Sequence, residues 1–292
     1  MNKLPLVSVI MPVFNRETLI SRAIKSVLDQ TYNNIELFVI DDGSSDGTRL
    51  VCEGFVGDSR FHYFFQENSG QSAARNLGIK KSRGEFIAFL DSDNYWSLNK
   101  IESQISFFYN NPNFDILYSD IIPIDEHGNR LQRKTFKKFS GRILNNLLCY
   151  NFVTNNTALV RRKCFDELGG FDESLRCAED YDLWLRFAVR YRFLHHPEAV
   201  TYYCCEGEGR LSSQEEKVLN ANIKIVSRFF DQYPHVVPLW IKNRAWSGLY
   251  IWKIQFQLYL GVRPNRLEIM KAVGLNPLDI RGWKILAKVF LT

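Results

Sequence analysis

Three acidic clusters in the chain have residue types and spacings that suit chemistry. Asp91 and Asp93 stand one residue apart in FLDSDN, Asp41 and Asp42 open the stretch DDGSSDGT, and Asp180 lies in AEDYDLWLR. Carboxylates one residue apart in an extended segment face the same side, so Asp91 and Asp93 are predicted to converge on one ligand. Such oxygen ligands suit a hard divalent cation that also binds a substrate diphosphate. The first hypothesis is therefore a site for Mg²⁺ or Mn²⁺.

The stretch DDGSSDGT also resembles a calcium-binding loop, because Asp42 and Asp46 are followed by the turn glycine Gly47. A calcium loop of the EF-hand type needs a helix on both sides, whereas the preceding IELFVI is typical of a strand. We therefore expect a strand, a tight turn and a helix that begins near Ser45 or Asp46. Asp41 and Asp42 would project from the strand end into a crevice, where carboxylates accept hydrogen bonds from a ribose or a base.

The elements that position these clusters alternate between strand and helix. Apolar runs predict strands over 7–14, 35–40, 61–65, 85–90 and 115–122, and apolar stripes predict helices over 17–30 and 71–81. This alternation predicts a parallel-type α/β sheet. Ligands of such sheets bind beyond the carboxyl ends of the strands, which is where the polar clusters fall.

The second half of the chain has a different pattern. Residues 179–191 predict a helix, 192–205 predict a pair of short strands, and helical patterns continue from 213 to the end. Asp180 lies in the first turn of its helix, so we expect the helix dipole to hold the pKa of its carboxyl low.

Composition sets further limits. A net charge of +5 does not by itself indicate nucleic acid, and an acidic phosphorylated substrate or an anionic membrane surface fits it equally well. The N-terminus lacks a signal-peptide cleavage pattern, and no apolar run is long enough to predict a membrane-spanning helix. Six cysteines without CxxC spacing are typical of reduced thiols, so a cytoplasmic protein is expected.

Five stretches resemble family 2 glycosyltransferases of the inverting GT-A type in their order and approximate spacing. They are MPVFNRE, DDGSSDGT, NSGQSAARNLGI, GEFIAFLDSDN and AEDYDLWLR, and the resemblance covers about residues 5–212. It implies a Rossmann-like mixed sheet flanked by helices, with a C-terminal helical extension. It also implies a nucleoside-diphosphate sugar as donor, a divalent metal, and transfer with inversion to an acceptor hydroxyl. Surface polysaccharide or glycolipid synthesis is the implied setting, and uridine is the default base by resemblance alone.

The resemblance also divides the chain. Residues 1–212 would form the catalytic domain, with nucleotide-sugar binding over about 1–123 and the acceptor side over about 124–212. Residues 213–292 would form the helical extension.

The resemblance carries nucleotide-binding roles onto matching residues. Those implied to contact or lie beside the nucleotide are Pro12, Phe14, Glu17, Asp42, Arg75, Asp91 and Ser92. Within this set Asp42 matches the base-binding aspartate, and Asp91 and Ser92 would lie beside the ribose and the diphosphate.

The metal and the base follow by the same resemblance. Asp93 would hold Mg²⁺ or Mn²⁺, and Asp180 would be the general base. Many relatives carry a further histidine after the strand that ends near residue 203, but YYCCEGEGRLSS contains none. Glu206 is nearest to that position, so either this glutamate joins the metal or the site relies on Asp93 alone.

Two alternatives stay open. One, which the missing histidine suggests, is a sugar-nucleotide-binding relative that has lost catalysis. Another is a nucleotidyltransferase, although the glycine-rich phosphate loop expected of that class is absent from PVFNRE.

The C-terminal residues 240–292 combine aromatic and basic side chains. In LDIRGWKILAKVFL a helix would bring Ile280 and Trp283 near one face, with Lys284 on another. A basic amphipathic helix of this kind can lie in a membrane interface, and the alternative is packing on the catalytic domain. A saccharide or lipid-linked acceptor is expected, at the inner face of the membrane if the helices bind lipid. No nucleic-acid-binding module is recognised, so no nucleic-acid partner is expected.

Overall fold

One mixed sheet of eight strands organises residues 7–204 in the computed structural model, which describes residues 4–125, 127–132, 137–205 and 214–290. The strands are β1 (Val7–Val13), β2 (Ile35–Asp42), β3 (Phe61–Gln66), β4 (Phe86–Phe89), β5 (Tyr95–Trp96), β6 (Ile116–Ile124), β7 (Leu159–Arg161) and β8 (Phe193–Cys204). Their order across the sheet is β3-β2-β1-β4-β7-β6-β8-β5.

The strands β3, β2, β1 and β4 are parallel, whereas β7 is antiparallel to both β4 and β6. Ile10 of β1 pairs with Phe38 of β2 and Phe89 of β4. Because the three strands are in register, the loops that follow them leave the sheet at the same edge. The mixed sheet that the family resemblance implies is thereby confirmed, whereas the parallel-type sheet predicted from the alternation of elements holds for β3, β2, β1 and β4 but not for β7.

Seven helices of the described residues lie between β1 and β8 along the chain. They are α1 (Ile20–Leu28), α2 (Thr48–Glu53), α3 (Gln71–Lys81), α4 (Lys100–Tyr109), α5 (Leu144–Leu147), α6 (Lys163–Leu168) and α7 (Glu179–Arg190). The apolar stripe of α1 is fully buried at Ile20, Ala23 and Ile24, where it packs into the main core with strand residues such as Val9. Burial of this stripe, more than helix propensity, holds a helix as short as α1 in place.

The strand predictions hold to within a few residues, but β8 differs from the expected pair of short strands. It is one strand paired in parallel with β6, and the pairing steps from Ser119–His196 to Asp120–Ala199. The two skipped residues include Pro197, which cannot donate to the ladder. A bulge of this kind interrupts the alternation of side chains without ending the strand, which is why the pattern resembles two strands.

The C-terminal helices are α8 (Glu215–Gln232), α9 (Leu239–Tyr259), α10 (Arg266–Leu275) and α11 (Ile280–Phe290). The chain divides into two compact units, Met1–Ile143 with Phe152–Gly209, and Leu144–Asn151 with Arg210–Thr292. The second unit has a core of its own, which contains Ile251, Ile254, Ile269, Ala272 and Ile285. Among the residues that the structure describes, no helix combines the length and apolar character needed to cross a bilayer.

Candidate active site

Hydrogen bonds join the loop that follows β1 to the acidic turn that follows β2, at the carboxyl edge of the sheet. The Gly47 N–H donates to Glu17 Oε2 over 2.6 Å, and the Glu17 N–H donates to Asp46 Oδ2 over 3.1 Å. The Asn15 N–H donates to Ser44 Oγ, from a backbone with φ of +50°. Glu17, predicted to contact the nucleotide, therefore also anchors the acidic turn to the loop that follows β1.

The carboxylates of Asp41 and Asp42 do not lie where the sequence predicts. Asp41 and Asp42 lie within β2 and are buried, at 0% and 4% exposure, rather than projecting into a crevice. Asp41 accepts hydrogen bonds from the Ser44 N–H and the Tyr63 hydroxyl, at 2.8 and 2.7 Å. The predicted helix after the turn begins later than expected, at Thr48, whose N–H donates to Asp46 Oδ1.

Asp42 is bound by the segment that leads into α3. Its Oδ1 accepts from Gln66 Nε2 and the Ser69 N–H, and its Oδ2 accepts from the Gly70 N–H, all within 2.8 Å. Gly70 has φ of +94°, a conformation that favours glycine. Asp42 thus fixes the start of α3, and its predicted contact with a nucleotide base stays a prediction.

A buried arginine joins three distant parts of the site. Arg75 of α3 is 2% exposed, and its guanidinium donates to Asp91 Oδ1 over 2.7 Å and to Glu179 Oε1 over 2.6 Å. The two carboxylates raise the pKa of Arg75 above its usual value despite burial, which acts in the opposite direction. The ion pairs therefore lock the end of β4, the middle of α3 and the start of α7 together.

Asp91 is held from a second side by a residue that sequence reasoning missed. Asn156, in the 3-10 turn Asn155–Thr157, donates from Nδ2 to Asp91 Oδ2 over 2.7 Å and accepts the Asp91 N–H. The Asn156 carbonyl accepts from the Trp96 indole N–H over 3.0 Å. No motif distinguishes this asparagine in the sequence, because its role depends on the position of the turn beside β4.

The segment from Asp91 to Asn94 is a turn rather than extended chain. The Asn94 N–H donates to the Asp91 carbonyl over 3.0 Å, so the prediction that Asp91 and Asp93 share one side of an extended segment is wrong. Arg22 of α1 donates from Nη2 to the Asp93 carbonyl over 3.3 Å and lies 4.6 Å from the Tyr95 ring centroid. These contacts fix the backbone on which the Asp93 carboxylate is carried.

Asp180 has an altered acid–base character. It occupies the first turn of α7, after Ala178 in a left-handed conformation with φ of +56°. Burial, and after it the like charge of Glu179, raise the pKa of the Asp180 carboxyl to about 7, although Arg75 and the Tyr181 N–H act to lower it. The expectation that the helix dipole keeps this pKa low is therefore wrong, because desolvation of the charged form outweighs the dipole.

The described residues contain no cluster of three or more metal-ligating side chains. Asp93 is partly exposed at the carboxyl edge, and a single carboxylate with a substrate diphosphate is a common arrangement for Mg²⁺. Glu206, the other predicted ligand, lies outside the described residues. His195 and His196 lie within β8, where they contact Asp120 and Ser103. The donor set at Asp93 therefore fits an oxygen-binding cation that completes its coordination with a ligand.

The remaining predicted residues surround the same edge. Pro12 is buried within β1, and Phe14, just after that strand, is 46% exposed. Ser92 is buried at 7% exposure in the turn that follows β4. Because β1 and β4 are parallel neighbours, the loops that carry Phe14 and Ser92 leave the sheet side by side.

The sequence matches a known family model, and its relatives are glycosyltransferases. The model of "Glycosyl transferase family 2" matches residues 8–169. The first five curated relatives are uncharacterized glycosyltransferases of Rickettsia species, 34% to 39% identical across 63% to 73% of this chain. The chain spans only 26% to 58% of the length of those relatives.

A further relative is WfgD of Escherichia coli, named as a UDP-Glc:alpha-D-GlcNAc-diphosphoundecaprenol beta-1,3-glucosyltransferase. It is 49% identical over 116 residues, which are 39% of this chain and 45% of that protein.

Two solved structures share the fold. S. aureus TarS 1-349 in complex with UDP-GlcNAc has a TM-score of 0.66 at 19% identity, over 97% of this chain and 79% of that one. The mannosyltransferase PcManGT from Pyrobaculum calidifontis, in complex with GDP-Man and Mn²⁺, has a TM-score of 0.62 at 17% identity, over 99% and 86% of the two chains. The fold is therefore that of GT-A glycosyltransferases.

Replacing Arg75 tests whether its ion pairs hold the site together. We expect Arg75→Met to lower the free energy of unfolding by about 3–5 kcal/mol, because it leaves Asp91 and Glu179 without their shared cation. Arg49→Met is the matched control, since Arg49 makes an exposed ion pair with Glu53 and should change stability by about 0.5 kcal/mol at most. Urea unfolding measures both. Equal effects would show that the buried pairs do not stabilise the fold.

The raised pKa of Asp180 also predicts a pH-dependent stability. A carboxyl whose pKa rises from 3.8 to about 7 on folding contributes its full stability below about pH 4, and this contribution is lost as the pH rises through 7. Asparagine does not ionise, so Asp180→Asn should raise the melting temperature by roughly 3 °C or more at pH 8 relative to wild type. The gain should shrink as the pH falls toward 4. A gain independent of pH would contradict the raised pKa.

Proposed function

Because the chain belongs to glycosyl transferase family 2, we propose that it transfers a sugar from a nucleoside-diphosphate sugar to an acceptor hydroxyl. The observation that carries this proposal is the Asp180 carboxyl, whose pKa near 7 accompanies the ion-paired network of Arg75, Asp91 and Glu179. A carboxylate with that pKa suits a base that must accept a proton at neutral pH.

The proposed reaction is a single displacement. The acceptor oxygen attacks the anomeric carbon while Asp180 takes the proton of the acceptor hydroxyl. The bond from the anomeric carbon to the diphosphate oxygen breaks, and its electron pair leaves with the nucleoside diphosphate. Attack from the face opposite the leaving group inverts the anomeric configuration.

A divalent cation belongs to this proposal through Asp93, with Glu206 as a second candidate ligand. Mg²⁺ or Mn²⁺ would neutralise the charge that develops on the departing diphosphate. Two contacts support this proposal by fixing the backbone that carries the Asp93 side chain, namely the Arg22 contact to the Asp93 carbonyl and the turn closed by Asn94. The Mn²⁺ in the complex of PcManGT supports the same chemistry for this fold.

For the nucleotide we propose a uridine diphosphate. Support comes from the UDP-GlcNAc in the TarS complex and from the UDP-Glc in the name of WfgD. Residues proposed to contact or frame it are Pro12, Phe14, Glu17, Asp42, Arg75, Asp91 and Ser92. Of these, Phe14 offers an exposed ring that can stack on a base, and Asp42 acts by holding the loop at Ser69 and Gly70.

For the acceptor we propose a saccharide, free or linked to a lipid diphosphate, in the synthesis of a surface polysaccharide. The name of WfgD, which includes diphosphoundecaprenol, supports this class, as does the relative TuaG of Bacillus subtilis, named as a putative teichuronic acid biosynthesis glycosyltransferase. Such acceptors would be met in the cytoplasm at the inner face of the membrane.

Asp180→Asn tests the base. With UDP-sugars and Mn²⁺, we expect the variant to lower the rate of UDP release by about 10²–10⁴-fold, because no group accepts the acceptor or water proton. In the wild type kcat/KM should fall tenfold per pH unit below about pH 7, as Asp180 becomes protonated. Asp231→Asn removes an exposed carboxylate in α8 and should leave the rate unchanged.

Two outcomes would contradict this assignment. Equal rates for Asp180→Asn and wild type would remove Asp180 as the base. Binding of UDP-sugars without turnover by the wild type, across a panel of donors and saccharide acceptors, would favour a catalytically inactive relative.

Asp93→Asn tests the metal. We expect Mn²⁺ to raise the melting temperature of the wild type in the presence of UDP, because a ligand that binds only the folded state stabilises it. In Asp93→Asn the Mn²⁺-dependent part of this shift should be lost, corresponding to about a tenfold weaker affinity for UDP. Asp29→Asn, at the exposed end of α1, should behave as wild type. UDP binding that is indifferent to both Mn²⁺ and Asp93→Asn would refute the metal site.

A further inference from the structure

The positive charge of the chain is concentrated at its C-terminal end. Residues 239–292 contain 9 lysines and arginines and 2 acidic residues, so they carry +7. Residues 1–238 contain 28 basic and 30 acidic residues, so they carry −2 and the whole chain carries +5. The three helices α9, α10 and α11 therefore hold more than the entire excess of positive charge, and they are electrostatically suited to an anionic surface.

Exposed apolar side chains are concentrated in the same part of the chain, in these helices and the segments that connect them. Of the 17 large hydrophobic side chains that are exposed among the described residues, 10 lie between Leu239 and Trp283. The most exposed are Leu278 at 94%, Tyr259 at 83% and Leu267 at 72%. Single exposed hydrophobic residues are normal, but such a density within 45 residues marks an interaction surface.

The helix α11 has two apolar faces rather than one. Ile285 and Val289 are buried in the core that α9, α10 and α11 share. Ile280 and Trp283 are 65% and 49% exposed, and the Trp283 indole N–H donates to the Pro277 carbonyl over 2.8 Å. Because the polar group of Trp283 already has a partner, the exposed part of this residue is largely its apolar ring.

Basic side chains border a groove between α9 and α11. The groove has a volume of about 400 Å³ and is lined by Gln255, Leu258, Tyr259, Arg281, Lys284, Ile285 and Lys288. Arg281 is paired with Asp279 over 2.6 Å, and among the described residues that line the groove there is no aspartate or glutamate. A groove lined by both apolar and basic side chains matches the boundary between lipid phosphates and acyl chains.

We propose that α9, α10 and α11 dock on the surface of an anionic bilayer. The docking surface consists of Leu278, Ile280 and Trp283, which enter the interface, and of Lys284 and Lys288, which contact lipid phosphates. Apolar area and basic charge contribute together to binding of this type, and the charged part weakens with salt. The inference depends on the charge and exposure of these helices, and not on the proposed transferase reaction.

Flotation of the full chain with lipid vesicles tests the proposal. The protein should bind vesicles of phosphatidylcholine with about 30% phosphatidylglycerol at least tenfold better than pure phosphatidylcholine, and less well as salt rises from about 0.05 to 0.5 M. Lys284→Glu with Lys288→Glu should weaken binding by about 20-fold or more, since each basic residue near an anionic surface is worth about fivefold. Leu278→Ser with Ile280→Ser should weaken it by about tenfold or more.

Matched pairs elsewhere on the surface serve as controls. Lys25→Glu with Lys80→Glu makes the same change of net charge, and Leu50→Ser with Val56→Ser removes side chains that are 74% and 66% exposed. Both should bind within about twofold of wild type. Wild-type flotation by both docking-surface variants, or equal losses in the controls, would overturn the proposal. Ultracentrifugation tests a further outcome. If the wild type is a dimer that only the docking-surface variants dissociate, and if their flotation is unchanged, the surface is an interface between copies of the chain and the proposal is overturned.

Discussion

The buried guanidinium of Arg75 is the constraint on which the rest of the site depends. A charge that is 2% exposed is tolerated only if its lost hydration is replaced, and here Asp91 and Glu179 replace it at 2.7 and 2.6 Å. The three residues come from α3, the end of β4 and the start of α7, so the requirement for pairing joins segments up to 104 residues apart. Asn156 then occupies the other oxygen of Asp91, which leaves this carboxylate little freedom to turn.

The same network accounts for the character of Asp180. Glu179 forms an ion pair with Arg75. For the neighbouring Asp180 carboxyl, burial and the like charge of Glu179 outweigh the attraction of Arg75, so its pKa rises to about 7. Two adjacent carboxylates on α7 thus differ because their surroundings differ. One is fixed in an ion pair, and the other is left with the proton affinity that a base requires at neutral pH.

The sequence predicts the sheet well because buried parallel strands are continuous apolar runs, and β1, β2 and β4 are of this kind. It also predicts that the acidic clusters collect at one edge, which follows from parallel order. The contacts that decide their roles cannot be predicted in this way. Asn156 and Arg22 act through position in space, the turn at Asn94 depends on a single backbone hydrogen bond, and the pKa of Asp180 depends on burial that no local pattern records.

The C-terminal helices also show what cannot be predicted from the sequence. A helical repeat of 3.6 residues predicts that Ile280 and Trp283 lie near one apolar face of α11, but it cannot say which face a neighbouring helix covers. The structure leaves both residues exposed beside Lys284, and it buries Ile285 and Val289 in the core with α9 and α10 instead. Ile285 and Val289 already pack the helix against its neighbours. Packing in that core therefore does not explain the exposed apolar residues Ile280 and Trp283. These exposed residues lie beside basic side chains, in the part of the chain that carries all of the excess positive charge. The partner that matches them is therefore a surface that is both apolar and anionic.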